Sequence, residues 1–213
     1  MTTLALAAAA VAGALLGVLA DRLSTRWPEH EPDYRRRRPD WRTLVVALVG
    51  AAVGAGLVAR WTEPRDLAVL GVYCAALLVL LAADLDQRIL PDALTLPLIA
   101  FAGVVLLADW SPLLAGKPLG LASGIGAAVG LPVLLFVSDR LLHGELGAGD
   151  LKLAVGIGLM SGVARLFVGL LAASIAFSVV LIGLIAVRRL GLKSAVPFGP
   201  VLILGAFAAA LTG

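Results

Sequence analysis

The chain has 213 residues, of which 61% are hydrophobic and 15% charged, with a formal net charge of +3 and a mean hydropathy of +1.02. Soluble domains carry about a quarter charged residues, so the composition excludes an ordinary soluble protein and predicts an integral membrane protein. The single cysteine, Cys74, lies in an apolar run and is predicted to be a core residue, because it can neither form an internal disulfide nor supply a multi-cysteine zinc site.

Apolar runs long enough to cross a bilayer recur along the chain. A span needs about 20 apolar residues, which predicts helices at 2–23, 43–60, 67–83, 93–109, 119–138, 151–162, 165–187 and 197–212. Eight spans are preferred over seven or six, and the boundary at Ser161-Gly162 is the least clearly marked. We therefore predict an all-α integral membrane protein, a polytopic bundle of about six to eight transmembrane helices forming one membrane-embedded domain over residues 1–213.

The basic residues predict how this bundle is oriented. The first apolar run lacks the positive residues that precede the apolar part of a signal peptide, so it is predicted to be a retained helix with its N-terminus outside. Thirteen of the 17 Lys and Arg residues then lie inside, in agreement with the positive-inside rule. The loop over 24–42 is predicted to be cytoplasmic, with its four arginines at 35–38 near anionic lipid rather than nucleic acid. The outside residues are Arg60, Arg65, Lys117 and Arg165.

Glycines recur at helical spacing inside the predicted helices, as at Gly50, Gly54 and Gly56. Small residues allow transmembrane helices to approach closely. This pattern therefore predicts tight helix packing and no chemistry.

Two acidic clusters lie at the ends of predicted helices, on the side that this topology assigns to the cytoplasm. The first runs from Asp84 through Asp86 to Asp92, and the second is Gly147-Ala148-Gly149-Asp150. Asp84 and Asp150 are 66 residues apart, but two membrane crossings return the chain to the same face. Because a carboxylate is costly near hydrocarbon, these residues should be solvated, be paired or have a function.

Two carboxylates at one site can divide the acid and base roles, since two like charges cannot both ionise easily. The ionised member can activate water, and the protonated member can donate to a carbonyl oxygen. Aspartic peptide hydrolysis has this requirement and needs no cofactor and no metal. The glycines at Gly147 and Gly149 allow a sharp turn and a close approach of backbone, which would present Asp150 to a peptide.

Each cluster also has a simpler interpretation. Asp150 can cap the helix that starts one residue later, and Asp92 can cap the helix that follows Pro91. Asp84 can be a helix-end residue solvated by the cytoplasm.

The neighbouring charges have similar alternatives. Asp86 and Arg88 can be solvated loop charges or a local ion pair. Glu145 and Lys152 can be interfacial charges, and Lys152 can also pair with a carboxylate.

Together the two clusters resemble the type IV prepilin peptidase family, membrane aspartic peptidases that process pilin-like precursors. The family's first motif is an aspartate, a proline seven residues later and a Leu-Thr-Leu-Pro-like helix, matched by Asp84, Pro91 and the residues from Leu94. The second is Gly-X-Gly-Asp followed by a Lys-Leu step, matched over 147–153. The third is a Pro-Phe-Gly-Pro turn into the last helix, matched over 197–200. The resemblance extends over about 10–212.

The resemblance implies that Asp84 and Asp150 are the catalytic pair, with Asp86 as a rival to Asp84. The residues that support the motifs are Gly147, Gly149, Pro91 and Lys152. The implied partners are the lipid bilayer and a prepilin or pseudopilin precursor with a short basic leader, a glycine at the cleavage site and an apolar helix. Cleavage would occur at the cytoplasmic face of the bacterial inner membrane, and the candidate contacts for the leader are Asp86, Asp92 and Glu145.

The chain departs from the larger members of this family in two places. Those members open with a Gly-Ser-Phe-Leu-Asn segment, and the comparable stretch here, from Gly17, has Asp21 instead of asparagine. They also carry two Cys-X-X-Cys pairs in a cytoplasmic loop associated with N-methylation of the cleaved pilin, whereas the 24–42 loop has no cysteine. The chain is therefore more similar to compact members that only cleave, with no need for S-adenosylmethionine.

Two functions from other classes remain as alternatives. A proton-coupled transporter would use Asp84 and Asp150 as proton sites, but repeated halves and acidic residues at mid-membrane are not found in the sequence. A catalytically inactive assembly scaffold would not need both aspartates. Presenilin-type proteases also use Gly-X-Gly-Asp, but they pair it with a Tyr-Asp helix, and here Ala83 precedes Asp84.

Overall fold

The computed structural model of the chain describes residues 2–26, 38–114, 116–142, 146–186 and 198–212. In these ranges the chain forms α-helices and no β-strand, which confirms the predicted all-α fold. The helices are α1 (Thr3–Ser24), α2 (Trp41–Arg60), α3 (Pro64–Gln87), α4 (Asp92–Leu107), α5 (Gly120–Leu142), α6 (Ala148–Ala186) and α7 (Gly199–Leu211).

The helices confirm the prediction of a polytopic membrane protein. Five of them, α1, α2, α3, α5 and α6, are long and apolar enough to cross a membrane. The remaining two are apolar but shorter, with 16 residues in α4 and 13 in α7. Many large apolar side chains on α1, α5 and α6 point outward, as do Leu15, Val129 and Ile175, and lipid would cover them.

A sharp break divides α6 at Gly162, whose backbone has φ 66° and ψ 174°. We call residues 148–161 the first arm and 163–186 the second arm. The break confirms the boundary predicted at Ser161-Gly162, and with the arms counted separately the described residues form eight helical segments. Two hydroxyls bond backbone groups at the break: Val163 N–H donates to Ser123 Oγ at 2.9 Å, and Ser111 Oγ donates to Met160 O at 3.1 Å.

The second arm runs back alongside α7. Gly169 lies against the backbone of Gly205, and Leu170 also contacts Gly205. The second arm therefore packs against α7, whereas Gly156 and Gly158 of the first arm lie against α4 and α5, and the two arms meet at the bend at Gly162.

Of the five helices long enough to cross a membrane, α3 is the most buried, and it contacts α1, α2, α4 and α7. Its side chains Leu70, Tyr73, Leu77 and Leu80 are completely buried, and Cys74 is buried beside them, as predicted. Contacts with four neighbouring helices restrict the movement of α3, which is the helix that carries Asp84.

Glycines bring α1 and α2 into close contact. Gly13 and Gly50 lie backbone to backbone, and Gly54 lies against Ala9. Any side chain at these positions would strike the facing helix, so the predicted packing role is confirmed for Gly50 and Gly54. Gly56 faces Leu211 of α7 instead.

Three predicted helix ends at the two acidic clusters differ from the structure. The third helix does not stop at residue 83: α3 continues to Gln87, so Asp84 lies inside it, and a left-handed Arg88 (φ 56°) ends it. Asp150 does not cap its helix, because α6 begins at Ala148 and Asp150 lies in its first turn. Asp92 is the first residue of α4 rather than its cap, since Pro91 holds the capping position.

Several predictions concern residues outside the described ranges. These include most of the Arg-rich loop at 27–37, Glu145, and Pro197 of the Pro-Phe-Gly-Pro turn.

Candidate active site

Asp84 is a buried carboxylate near the end of α3, with 5% of its surface exposed. Its Oδ2 atom has no hydrogen-bond partner. Burying a carboxylate oxygen without a partner is costly. Because Asp84 is buried, it is not a helix-end residue solvated by the cytoplasm.

Asp150 approaches from the first turn of α6 and is half-buried. Its backbone N–H donates to Gly147 O at 3.1 Å, which closes the turn that starts the helix. A carboxylate in the first turn is also stabilised by the helix dipole, whose positive end lies there.

The structure places these two carboxylates in the same region, although 66 residues separate them in the chain. Gly149 packs against Leu90, and the charge of Asp150 acts on Asp84. Repulsion between two carboxylates favours a state in which the pair holds one proton. One carboxylate is then able to accept a proton while the other is able to donate one.

The glycine before Asp150 permits this approach. A methyl group at Gly149 would lie 2.8 Å from Cβ of Leu90, the buried residue between α3 and α4. Gly149 therefore lets the start of α6 pass directly over the segment that follows Asp84. Pro91 comes next and takes the capping position of α4, and its carbonyl accepts from Thr95 Oγ1 at 3.3 Å.

Gly147 has a different environment. The nearest atom to a methyl group placed there would be Oδ2 of Asp150, at 3.7 Å. The space around Gly147 is therefore open apart from the Asp150 carboxylate itself.

An ion pair also joins the two clusters. Lys152 Nζ donates to both oxygens of Asp92, at 2.6 and 2.7 Å, and so connects α6 to α4. The predicted pairing of Lys152 with a carboxylate is confirmed. Both side chains are exposed (37% and 58%), so the pair contributes only about 0–1 kcal/mol to stability.

Asp86 is buried and paired with a residue of α2. Its side chain is 1% exposed, and its Oδ1 accepts from Arg42 Nη1 of α2 at 2.6 Å. The suggestion that Asp86 and Arg88 are solvated loop charges or pair with each other is therefore wrong for Asp86. Burial and the contact with α2 distinguish it from Asp84, which has Asp150 as its neighbour.

The start of α7 adds a neighbour of Asp84 that we did not predict as part of the site. A methyl group at Gly199 would lie 2.7 Å from Oδ2 of Asp84. The positive end of the α7 dipole therefore faces the carboxylate. The only signal for this in the sequence was the Pro-Phe-Gly-Pro motif, noted as part of the resemblance.

A second buried aspartate was also missed. Asp21, at the end of α1, is 1% exposed, and its Oδ2 accepts from Thr43 Oγ1 at 2.8 Å. Gln87 Nε2 donates to Ser24 O at 3.1 Å and links α3 to the same region. The signal for Asp21 in the sequence is a charged residue at the end of the long apolar run that forms α1.

Within the described residues, no group of three or more His, Cys, Asp or Glu side chains is arranged to hold a metal ion.

The sequence was compared with known proteins. The profile of the type IV leader peptidase family matches residues 71–185, which include Asp84 and Asp150. The chain is 36% identical over 175 residues to the prepilin leader peptidase/N-methyltransferase of Aeromonas salmonicida (strain A449), covering 80% of this chain and 56% of that protein. It is 34% identical over 178 residues to the protein of the same name from Aeromonas hydrophila, covering 80% and 57%.

A third relative gives a similar result. The prepilin leader peptidase/N-methyltransferase of Burkholderia pseudomallei (strain K96243) is 34% identical over 180 residues, covering 81% of this chain and 55% of that protein. The chain thus spans little more than half the length of these curated relatives. No solved structure gives a significant match.

Proposed function

The chain belongs to the type IV leader peptidase family, and from this premise we propose that it is a membrane aspartic endopeptidase that removes the leader from type IV pilin-like precursors. The observation that carries the proposal is the packing of Gly149, at the start of α6, against Leu90, just after the end of α3, which places Asp150 within the electrostatic range of Asp84. Both fall inside the matched region, and one of them is buried with an unpaired oxygen.

We propose the following course for the reaction. The ionised member of the pair takes a proton from a water molecule, and the water oxygen attacks the carbonyl carbon of the scissile peptide bond. The protonated member donates to the carbonyl oxygen as it becomes negative. Collapse of the tetrahedral intermediate breaks the C–N bond, and the amine leaves with a proton returned from the pair.

The substrate's position follows from the site. An apolar helix of the precursor would lie in lipid beside the bundle, with its leader beyond the carboxylates. We propose that this end faces the cytoplasm of a bacterial inner membrane, that the N-terminus is outside, and that residues 1–213 act as one domain. The distribution of basic residues supports this orientation.

The first test is cleavage of a prepilin-like substrate from the same genome in membranes that contain the protein. Asp84→Asn and Asp150→Asn should each lower the rate by roughly 10²- to 10⁴-fold, because each removes one proton-transfer group. Asp109→Asn is a matched control at the opposite end of α4, where the left-handed backbone (φ 54°) suits asparagine. Normal cleavage by both variants, or by Asp150→Asn alone, would contradict the proposal. If cleavage persisted in Asp84→Asn but was lost in Asp150→Asn, Asp86 would replace Asp84 as the partner of Asp150.

The masses of the cleavage products from this experiment also test whether the product is methylated. We propose that this chain cleaves without transferring a methyl group, and the cysteine-free 24–42 loop supports this. A product with an added methyl group, formed in the presence of S-adenosylmethionine, would contradict it.

We also propose that Asp92 contacts the basic leader of the substrate. Of the three acidic candidates, Glu145 lies outside the described residues and Asp86 is buried against Arg42, whereas the Asp92 side chain is 58% exposed. A leader lysine or arginine would replace Lys152 as its partner.

Asp92→Asn should therefore raise KM several-fold with little change in kcat, since an exposed charge contact contributes about 1 kcal/mol or less. Cleavage kinetics with substrates carrying basic and neutralised leaders would measure this. Equal KM values for wild type and variant with the basic leader would remove Asp92 from the proposal.

A further inference from the structure

The end of the bundle opposite the aspartates contains a pocket of about 330 Å³. It lies where the loop after α4 meets the break in α6, and we call it the far-end pocket. Its polar lining includes Lys117, Arg165 and Ser123, and its apolar lining includes Leu114, Pro118 and Leu119. Pockets that hold small molecules occupy about 300–1,000 Å³, so this one is large enough for a ligand.

The far-end pocket has an excess of positive charge. Lys117 and Arg165 are close enough for their charges to interact, and Arg60 acts on Arg165 in the same way. Across the described residues, neither Lys117 nor Arg165 forms a salt bridge with a carboxylate. Partial desolvation and then the charge of Arg165 lower the pKa of the Lys117 ammonium.

Two further observations indicate that the pocket can bind an anion. The Nη1 atom of Arg165, which lines the pocket, is buried without a hydrogen-bond partner. A guanidinium N–H group left without an acceptor is costly, and an anion would supply one. The second arm of α6 also begins here, so the positive end of its dipole faces the pocket.

The exposed apolar side chains beside the far-end pocket indicate which kind of anion it binds. Leu119 and Leu121 beside the pocket are 73% and 50% exposed. A ligand with acyl chains would cover them, and a small soluble anion would not. Guanidinium groups bind phosphate with two parallel hydrogen bonds.

We propose that the far-end pocket binds the phosphate group of an anionic phospholipid. Arg165 and Lys117 would contact the phosphate oxygens, Ser123 would donate to them, and the acyl chains would lie over Leu119 and Leu121. This site is separate from the aspartate pair, and its occupancy would stabilise the bend between the two arms of α6.

The experiment measures the thermal unfolding midpoint of the full chain in neutral detergent during titration with phosphatidylglycerol. Phosphatidylcholine and inorganic phosphate are titrated in parallel. Phosphatidylglycerol should raise the midpoint of the wild type, because a ligand that binds only the folded state stabilises it. Arg165→Gln and Lys117→Gln should need roughly tenfold more lipid for the same rise, and Arg165→Lys should recover part of the loss.

The control is Arg140→Gln, which removes a basic residue from the last turn of α5, at the opposite end of the bundle. It should respond like the wild type. Equal lipid responses for the wild type, Arg165→Gln and Lys117→Gln would overturn the proposal, and so would an equal loss in Arg140→Gln. A response to inorganic phosphate alone, with the same dependence on Arg165, would overturn the lipid as the source of the phosphate. Because Lys117 is exposed, its variant keeps the test valid if Arg165→Gln does not fold.

Discussion

Gly149 lies where the first turn of α6 passes over Leu90, and no side chain fits between them. The position of the Asp150 carboxylate therefore depends on residue 149 having no Cβ atom. In an active site, a displacement of about 1 Å can cost 100-fold in rate.

Gly149→Ala should lower the cleavage rate at least tenfold, because the new methyl group would push the start of α6 away from Leu90 and Asp150 away from Asp84. Cleavage of a prepilin-like substrate in membranes measures the effect. Gly130→Ala is the matched control: nothing lies within 4 Å of a methyl group there, and alanine favours the helix. A wild-type rate for Gly149→Ala would show that the contact with Leu90 does not position Asp150.

For single residues, the sequence predicts which aspartates form the candidate site better than it predicts which side chains bond each other. The spacing around Asp84 and Asp150 was enough to predict that they converge, because motif and topology both place them on one face. The partners of Asp86 and Asp21 were not predicted, since Arg42 and Thr43 lie 44 and 22 residues away on another helix. No local pattern indicates which face of a neighbouring helix such a side chain will meet.

Among the helices, α6 depends most on a single position. Gly162 has a positive φ, and a methyl group there would lie 2.6 Å from Leu114 Cδ2 and 2.7 Å from Ser123 Oγ. The bend thus requires glycine for two reasons: residues with a Cβ atom rarely adopt this backbone conformation, and there is no space for a Cβ atom at this position.

Gly162→Ala should destabilise the protein by about 1–3 kcal/mol from the backbone alone, because a positive φ with ψ near 180° is essentially restricted to glycine, and by more from the two contacts. For a chain of this size each kcal/mol lowers Tm by roughly 2–4 °C, which thermal unfolding in detergent would detect. Gly183→Ala, in the second arm with open space around it, should leave Tm unchanged or slightly higher. If both variants unfolded at the same temperature, the bend would not require glycine.

Helix ends could be predicted from the sequence only to within a few residues. A hydropathy window stops at the first charges, so it ended the third helix before Asp84, but helical hydrogen bonds do not require apolar side chains. The real end of α3 is set by the left-handed backbone of Arg88. The same reasoning applies to Ala148, which starts α6 three residues before the apolar run.

For the molecule as a whole, the proposed orientation can be tested with cysteine chemistry. Cys74 is 2% exposed, so the native chain should not react with a membrane-impermeant maleimide. Lys117→Cys should react in intact cells, and Arg140→Cys only after lysis, because the two positions lie at opposite ends of the bundle. The reverse pattern would place the aspartates outside the cytoplasm.

Which helices are neighbours could not be predicted from hydropathy, since a helix in lipid is apolar on most faces. The glycines carried part of this information: Gly13 and Gly50 join α1 to α2, and Gly169 and Gly205 join the second arm of α6 to α7. The sequence shows which helices have such positions, but not which pairs meet.

The short helices have a consequence for the membrane itself. At 1.5 Å per residue, the 13 residues of α7 and the 16 of α4 measure only about 20 and 24 Å, against a hydrocarbon thickness of about 30 Å. Both helices start beside the paired aspartates, at Gly199 and Asp92. Most of α7 is buried in protein, but α4 presents Leu96 and Val104 outward. A bilayer adapts to a short lipid-facing helix by thinning locally, so the leaflet should be indented at this place. The indentation would bring bulk water to the carboxylates. The scissile bond of a precursor would then lie outside the acyl chains while the apolar helix of the precursor stayed in the membrane.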